Sequence, residues 1–215
     1  MEVLETERDF PAAWKYYWSI RNFRIQFIIT VCVLISFMFV FPYFFDFIES
    51  LQGKPLHDPL LDLLPATNVS IPTFSILYFV VISWLIISIK NPKVLLTGMQ
   101  TYALVTVLRM ITIPLFPLQP PLDYIPLREP FVQFFTHGGR IISHDLFFSG
   151  HMTSILFCYY STSRKFFKKL YLVFAFIIGI FLMVQRVHYT IDILAAPLFT
   201  WLCFLLSKKV LLAKI

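Results

Sequence analysis

Long apolar runs constrain the fold of this chain more than any other feature. Six such runs lie near residues 25–48, 73–89, 94–116, 146–161, 169–187 and 191–207. A helix that crosses a bilayer needs about 20 mostly apolar residues, so each run is a candidate span, although the last three are short. We therefore predict an all-α, polytopic membrane protein built as a six-transmembrane helix bundle.

The composition agrees with a membrane protein and argues against a nucleic-acid-binding one. The chain is 58% hydrophobic and only 14% charged, with 25 Phe among its 215 residues, whereas a soluble domain carries roughly 25% charged residues. The net charge is +6, but the basic residues form small groups between the apolar runs instead of one stripe. That distribution is typical of topology signals.

The first residues predict a short helix at the membrane surface. Asp9 followed by Pro11 is a helix-start signal, and Trp14 and Trp18 belong to an aromatic group that suits the interface between lipid and water. We accordingly divide the chain into a cytoplasmic segment with an interfacial helix (1–24), the six-transmembrane domain (25–207) and a cytoplasmic tail (208–215).

The distribution of Lys and Arg between the loops predicts the orientation. One side of the predicted bundle would carry 13 of these residues and the other only four, and the richer side is expected to be cytoplasmic. Both termini then lie in the cytoplasm. The segments on the opposite face, whether exoplasmic, lumenal or periplasmic, are 49–72, 117–145 and 186–192, which hold nearly all the internal His and Asp.

The stretch "QRVHYTID" (185–192) interrupts two apolar runs with a histidine and a carboxylate. His188 and Asp192 are four residues apart and would share one face of a helix. A carboxylate held against one imidazole nitrogen fixes the tautomer and leaves the other nitrogen as a base or nucleophile. The alternative is a polar helix cap with the imidazole turned to water.

A second polar stretch, "HDLFFSGHMTS" (144–154), lies at the predicted outer end of the fourth span. His151 follows Ser149 and Gly150 at a helix N-terminus, where free N–H groups favour an anion such as phosphate. Capping by Ser149 explains the Ser-Gly pair nearly as well. Arg109 lies within the third span, toward its outer end, and ionisable groups at such depth are usually functional.

These residues resemble a known family. The stretches "FFSGHMTS" and "HYTID" resemble the two catalytic motifs of the sphingomyelin synthases, which belong to the type 2 phosphatidic acid phosphatase superfamily. Upstream, "HDPLLDLLP" is similar to the family's Pro/Leu/Asp motif. "VLRMITIPLFPLQPP" is similar to its third-span segment, with Arg109 at the motif arginine. The resemblance extends from about residue 50 to 205, and six spans with an exoplasmic site fit it.

The resemblance implies a catalytic role for three side chains. His188 would attack the phosphorus of a phospholipid and form a phospho-histidine, while Asp192 would orient the ring and offset the developing imidazolium charge. His151 would protonate the leaving diacylglycerol oxygen and later deprotonate the incoming hydroxyl. The scheme implies no metal and no cofactor.

The resemblance also implies a binding site for the phospho-headgroup. Arg109 and the amides near Ser149 and Gly150 would hold the phosphoryl oxygens, and Asp145 would support His151. Aromatic faces attract a quaternary ammonium, so rings in this layer predict choline contacts, with packing and lipid contact as their alternative roles. These rings are Tyr124, Phe134, Phe135, Phe147, Phe148 and Tyr189.

Departures from the family pattern leave alternatives open. Ser143-His144 stands where the family has Cys-Gly, and position 182 is Leu where related lipid phosphatases carry an Arg. "HYTID" favours transfer of a phospho-headgroup from a glycerophospholipid donor to ceramide or diacylglycerol as the lipid alcohol acceptor. The first alternative is a phospholipase C or lipid phosphate phosphatase with the same His/His/Asp triad. The second is a non-catalytic lipid-binding membrane protein, and a homo-oligomer stays open.

Overall fold

The structure is a computed structural model that describes residues 10–127 and 142–211. Within these ranges the regular elements are helices, apart from an isolated β-bridge between Lys54 and Leu118. The α-helices, in chain order, are α1 (Phe10–Ser19), α2 (Arg21–Glu49), α3 (Pro59–Asp62), α4 (Ser70–Ser88), α5 (Pro92–Leu115), α6 (Gly150–Ser161), α7 (Lys165–Val184) and α8 (Thr190–Leu206). A π-helical turn, Ser207–Leu211, follows α8.

Five of these helices, α2, α4, α5, α7 and α8 with the first residues after it, are long and apolar enough to cross a membrane. Their outward faces expose large apolar side chains that water would not solvate well, such as Phe39, Ile71 and Phe176. Burial of such groups in lipid is favourable. The all-helical prediction is confirmed for the described residues, and the helices indicate a multi-pass membrane protein.

The segment predicted as the fourth span forms a shorter helix than expected. Helix α6 begins at Gly150, because the Ser149 hydroxyl caps it by accepting a hydrogen bond from the N–H of Met152 (3.3 Å). The preceding residues, 142–149, are not helical. At about 1.5 Å per residue, the 12 residues of α6 extend about 18 Å, less than the ~30 Å hydrocarbon core. Six spans therefore stay a prediction.

Helix α6 is the central element of the bundle. It packs against α4, α5, α7 and α8, and Ile155 and Cys158 on it are fully buried. Non-helical backbone at membrane depth is tolerated where protein surrounds it, so this central position explains how α6 can start late. Helix α2, by contrast, lies at the periphery, where it packs on α1 and α5.

The helix boundaries in the structure differ by a few residues from the ends of the apolar runs. The boundary expected at residue 24 falls inside α2, which starts at Arg21. The run predicted at 169–187 becomes α7, which starts four residues earlier and ends at Val184. Charged side chains thus occupy the first turns of both helices. Long basic side chains can lie there because their charged ends reach beyond the apolar layer into water.

Helix α1 covers the N-terminal aromatic segment from Phe10 to Ser19. The indole N–H of Trp14 donates to the carbonyl of Ile89 at the end of α4 (2.7 Å), and Tyr17 packs with Phe23 and Leu96. These contacts fix α1 against the ends of its neighbours. Its place in the membrane interface stays a prediction.

Three connecting segments meet at one end of the bundle through the fully buried side chain of Gln185. Its amide oxygen accepts from the N–H of Val69 (3.0 Å), and its amide nitrogen donates to the hydroxyl of Ser70 (2.7 Å). Its carbonyl accepts from the N–H of Ile125 (3.2 Å). The segments predicted to share one face of the membrane protein are therefore adjacent.

Candidate active site

His188 and Asp192 form a buried pair at the start of α8. The short turn after α7 passes through Arg186 at φ 59°, a left-handed conformation that reverses the chain, and brings His188 against the first turn of α8. Nδ1 of His188 lies 3.4 Å from Oδ2 of Asp192, and the same oxygen accepts from the N–H of Tyr189 (3.0 Å). The two side chains are only 3% and 0% exposed.

His151, on the first turn of α6, lies opposite His188. The ring centroids are 6.1 Å apart and the rings are inclined by 66°. A backbone hydrogen bond from the N–H of Ser149 to the carbonyl of Asp192 (3.2 Å) joins the start of α6 to the first turn of α8. This bond explains why histidines that are distant in sequence face each other.

Arg109 and Asp145 form an ion pair beside the histidines. Nη2 of Arg109 donates to Oδ1 of Asp145 (2.6 Å), and its Nε donates to the carbonyl of Phe148 (2.8 Å). Asp145 therefore contacts Arg109, and no bond joins it to His151 in the described residues.

Gly150 allows the guanidinium of Arg109 to approach the N-terminus of α6. A methyl group added at Gly150 would lie 2.6 Å from Nη1 and 2.8 Å from Cζ of Arg109, which is closer than carbon and nitrogen can pack. The close approach of Arg109 therefore requires a residue without a side chain at this position. The predicted Ser149, by contrast, is fully buried and serves as the cap of α6.

A cavity of about 260 Å³ brings these groups together. Arg109, Asp145, Gly150, His151 and His188 all line it. Asp192 does not; it lies behind His188, with the imidazole between its carboxylate and the cavity. One open space is therefore bordered by a cation, a carboxylate and two imidazoles.

The aromatic lining of the cavity differs from the prediction. Of the predicted rings, Tyr124 lines the cavity, while Phe147 and Phe148 pack against Phe199; Phe134 and Phe135 lie outside the described residues. The sequence reasoning missed aromatic residues on the neighbouring helices α2, α4 and α5, although the spacing of those on α2 marks one helix face. These are Phe41, Phe44, Phe45, Phe74, Tyr78 and Tyr102.

The side chain of Tyr189 packs between two loops and does not line the cavity. Its hydroxyl accepts from the N–H of Leu56 (3.2 Å) and donates to the carbonyl of Gln119 (3.0 Å), while its buried ring packs against Leu61 and Leu146. These contacts explain the tyrosine as an anchor for two loops.

Asp58 is a residue of the site region whose role the sequence did not indicate. Its carboxylate accepts from the N–H of Thr190 (2.6 Å) and from the Thr190 hydroxyl (3.0 Å), so it caps the N-terminus of α8 from another part of the chain. It also accepts from the N–H groups of Leu60 and Leu61. Burial raises the pKa of Asp58, but the hydrogen bonds together lower it by more than burial raises it. The net pKa therefore lies below the ordinary value. The "HDPLLDLLP" motif, which contains Asp58, is the part of the sequence that could have pointed to this residue.

The arrangement can support acid–base and nucleophilic chemistry on an anionic group. Because Nδ1 of His188 faces Asp192, Nε2 is the nitrogen that remains for attack. His151 can exchange a proton on the other side of the cavity, and the guanidinium of Arg109 can hold negative charge. Among residues 10–127 and 142–211, His, Cys, Asp and Glu side chains form no group of three or more suited to a metal ion.

Comparison with known proteins agrees with this chemistry. No curated protein matches the chain. The family model described as PAP2 superfamily C-terminal matches residues 144–209, the part that carries His151, His188 and Asp192. Members of this superfamily are generally phosphatases or phosphotransferases. The matched stretch, 66 of the 215 residues, is therefore similar to the C-terminal part of this superfamily and includes the residues of the candidate site.

Proposed function

We propose that the protein is a phospholipid headgroup phosphotransferase of the sphingomyelin synthase type. It would move a phospho-headgroup from a glycerophospholipid to ceramide or diacylglycerol. The observation that carries the proposal is the pair of imidazoles, with ring centroids 6.1 Å apart, that face one cavity together with Arg109. A phosphoryl group between the rings can contact both.

The first half reaction transfers the phospho-headgroup to the enzyme. Nε2 of His188 attacks the phosphorus, a P–N bond forms, and the bond from phosphorus to the glycerol oxygen breaks. His151 gives its proton to that oxygen, and diacylglycerol leaves. Asp192 is ionised behind the ring and stabilises the positive charge on the imidazole, at a distance of 3.4 Å that can shorten when substrate binds.

The second half reaction reverses the roles. His151, now neutral, takes the proton of the acceptor hydroxyl, the acceptor oxygen attacks the phosphorus, and the P–N bond to His188 breaks. Arg109 holds the equatorial phosphoryl oxygens in both steps. Such preorganised electrostatic stabilisation is usually the largest contribution to catalysis. The guanidinium of Arg109 can lie beside the start of α6 because Gly150 has no side chain to collide with it.

Hydrolysis is the second candidate, because the superfamily match covers phosphatases as well as phosphotransferases. The two reactions share the first half and differ in whether water or a lipid alcohol reaches the phospho-histidine. The aromatic and aliphatic lining of the cavity supports transfer, since an apolar surface favours a lipid acceptor over water.

The proposal includes a membrane arrangement. Helix α6 together with the non-helical residues before it would complete a sixth crossing, so that both termini lie in the cytoplasm. The cavity then opens toward the exoplasmic, lumenal or periplasmic leaflet, and residues 25–207 form one catalytic domain. The excess of Lys and Arg in the predicted cytoplasmic loops supports this orientation.

Labelled phosphatidylcholine tests the proposal. Purified protein in detergent or nanodiscs is incubated with phosphatidylcholine labelled in the headgroup, with and without ceramide or diacylglycerol. Transfer predicts a labelled lipid product only when an acceptor is present. Free phosphocholine at the same rate in both reactions would show hydrolysis instead, and no turnover of any labelled phospholipid would contradict both.

A further inference from the structure

Glu49, the last residue of α2, makes hydrogen bonds to two consecutive residues of the non-helical segment before α6. Its Oε1 accepts from the backbone N–H groups of Ser143 (2.6 Å) and His144 (2.7 Å). Its Oε2 accepts from the Ser143 hydroxyl (2.9 Å) and lies 2.9 Å from Nδ1 of His144. One carboxylate thus satisfies both the main chain and the side chains of this dipeptide.

These contacts do not serve α2 itself. A carboxylate at a helix C-terminus opposes the helix dipole, whose negative end lies there, and the last turn of α2 contains no basic residue. An acidic side chain at this position therefore weakens the helix that carries it. Its four partners all belong to the segment 143–144, so the energetic reason for Glu49 lies in that segment.

The residue that follows the clamped dipeptide is Asp145, the ion-pair partner of Arg109. Backbone N–H groups in an irregular segment lack helical partners, and buried ones need an acceptor. Glu49 supplies that acceptor immediately before Asp145. With Ser143 and His144 fixed, the carboxylate of Asp145 is held 2.6 Å from Nη2 of Arg109, and the guanidinium is turned toward the cavity.

We propose that Glu49 is a positioning residue for phosphate binding, acting through Ser143-His144 and Asp145 on the guanidinium of Arg109. This inference rests on the proposed function only in assigning the anion to a lipid phosphate. The contacts run from the edge of the peripheral helix α2 to the polar wall of the cavity. Movement of α2 would therefore change the orientation of Arg109.

Four variants test the inference by binding of orthovanadate, a phosphate analogue, measured as ligand-dependent thermal stabilisation of the purified protein. Loss of orientation at Arg109 should weaken binding in Glu49→Ala by about tenfold, or ~1.4 kcal/mol. Glu49→Asp keeps the charge but is too short to reach both residues, so it should also bind several-fold more weakly. Glu49→Gln keeps the shape and should remain within about threefold of the wild type. Ser50→Ala is the matched control, because within residues 10–127 and 142–211 the Ser50 hydroxyl bonds only to its own helix.

A double-mutant cycle separates positioning from a general loss of stability. If Glu49 acts through Asp145, Glu49→Ala should weaken vanadate binding by less than about twofold in the Asp145→Asn background. A full tenfold loss in that background would overturn the inference. So would wild-type affinity in both Glu49→Ala and Glu49→Asp, whatever their melting temperatures.

The same proteins distinguish failure of this inference from failure of the proposed function. If the wild type binds vanadate but transfers no phospho-headgroup, the proposed function fails while the Glu49 cycle can still hold. If the wild type transfers the headgroup and Glu49→Ala does so with unchanged KM and kcat, the inference fails alone. Should Glu49→Ala not be recovered as folded protein, Glu49→Asp against Glu49→Gln decides by the same criteria.

Discussion

Nδ1 of His188 lies 3.4 Å from Oδ2 of Asp192, four residues further along the chain, in a pair that is almost completely buried. The other carboxylate oxygen of Asp192 has no hydrogen-bond partner among the described residues. A buried carboxylate in this state is costly, and a positive charge on the imidazole would offset that cost. The pair is therefore suited to a reaction in which His188 becomes positively charged.

Removal of either member of the pair should strongly reduce turnover. His188→Ala removes the nucleophile and is expected to lower kcat by about 10⁴-fold or more, and Asp192→Asn by at least about 100-fold. Because the two side chains act as a unit, the double variant should be no slower than His188→Ala. Steady-state rates with labelled phosphatidylcholine measure this, with circular dichroism as the control for folding. An appreciably slower double variant would show that the residues act separately.

Gly150→Ala tests the close approach of Arg109 to the start of α6. The added methyl group would collide with the guanidinium, so we expect vanadate affinity to fall by about tenfold, or ~1.4 kcal/mol. Gly179→Ala is the control, because its added methyl group would make a tight contact of 3.3 Å with a side-chain methyl of Ile193 and would not meet the guanidinium of Arg109. Equal affinities in the two variants would contradict the steric role of Gly150.

Asp58→Asn tests the cap of α8. The Asn amide keeps only one of the two accepting oxygens, so one of the bonds to Thr190 is lost. A typical hydrogen bond contributes about 0.5–1.5 kcal/mol, so the variant should melt at a lower temperature than the wild type at neutral pH. Its activity should fall as well, because the capped residue, Thr190, lies between His188 and Asp192. Thermal unfolding followed by circular dichroism, together with the transfer assay, provides the measurements.

The stability difference at Asp58 should depend on pH. The pKa of Asp58 in the folded protein lies below its ordinary value of 3.8, so the ionised group stabilises the fold above that value and the contribution is lost as pH falls through the lower, folded pKa. The gap in Tm between wild type and Asp58→Asn should therefore be largest near neutral pH and shrink below about pH 4. A gap that is constant from pH 7 to pH 3 would argue against an ionised cap.

Tyr189→Phe should affect stability more than catalysis. The substitution leaves the N–H of Leu56 and the carbonyl of Gln119 without their bonds to the Tyr189 hydroxyl. Because both residues are exposed, each lost bond costs only about 0.5–1.5 kcal/mol. Because the ring does not line the cavity, kcat should change by less than about threefold. A large loss of kcat at unchanged Tm would instead make Tyr189 a substrate-binding residue.

The sequence predicted those features that depend on local composition or spacing. Apolar runs located the long helices, and the four-residue interval of His188 and Asp192 predicted their proximity. The structure reaches this contact differently, because His188 lies in the turn before α8 and only Asp192 lies on the helix. The proximity of His151 required only that both histidines lie at the same end of the bundle.

Contacts between distant segments could not be predicted in the same way. The sequence near Glu49 does not indicate that its carboxylate bonds to residues 143–144, and the "HDPLLDLLP" motif marks Asp58 without indicating its bond to Thr190. Both contacts arise from tertiary packing. The late start of α6 at Gly150 depends on the cap by Ser149 and on the surrounding helices. The sequence also did not indicate that the hydroxyl of Tyr189 bonds to two loops, and its assignment to the substrate site stays a prediction.

The most direct test of the account is the detection of a phosphorylated histidine during turnover. Wild-type protein is mixed with headgroup-labelled phosphatidylcholine, quenched with alkali and analysed by mass spectrometry of its peptides, in parallel with His188→Ala. We predict an alkali-stable, acid-labile phospho-headgroup on His188 that disappears when ceramide or diacylglycerol is added. Turnover without any such adduct, or an equal adduct in His188→Ala, would contradict the covalent mechanism.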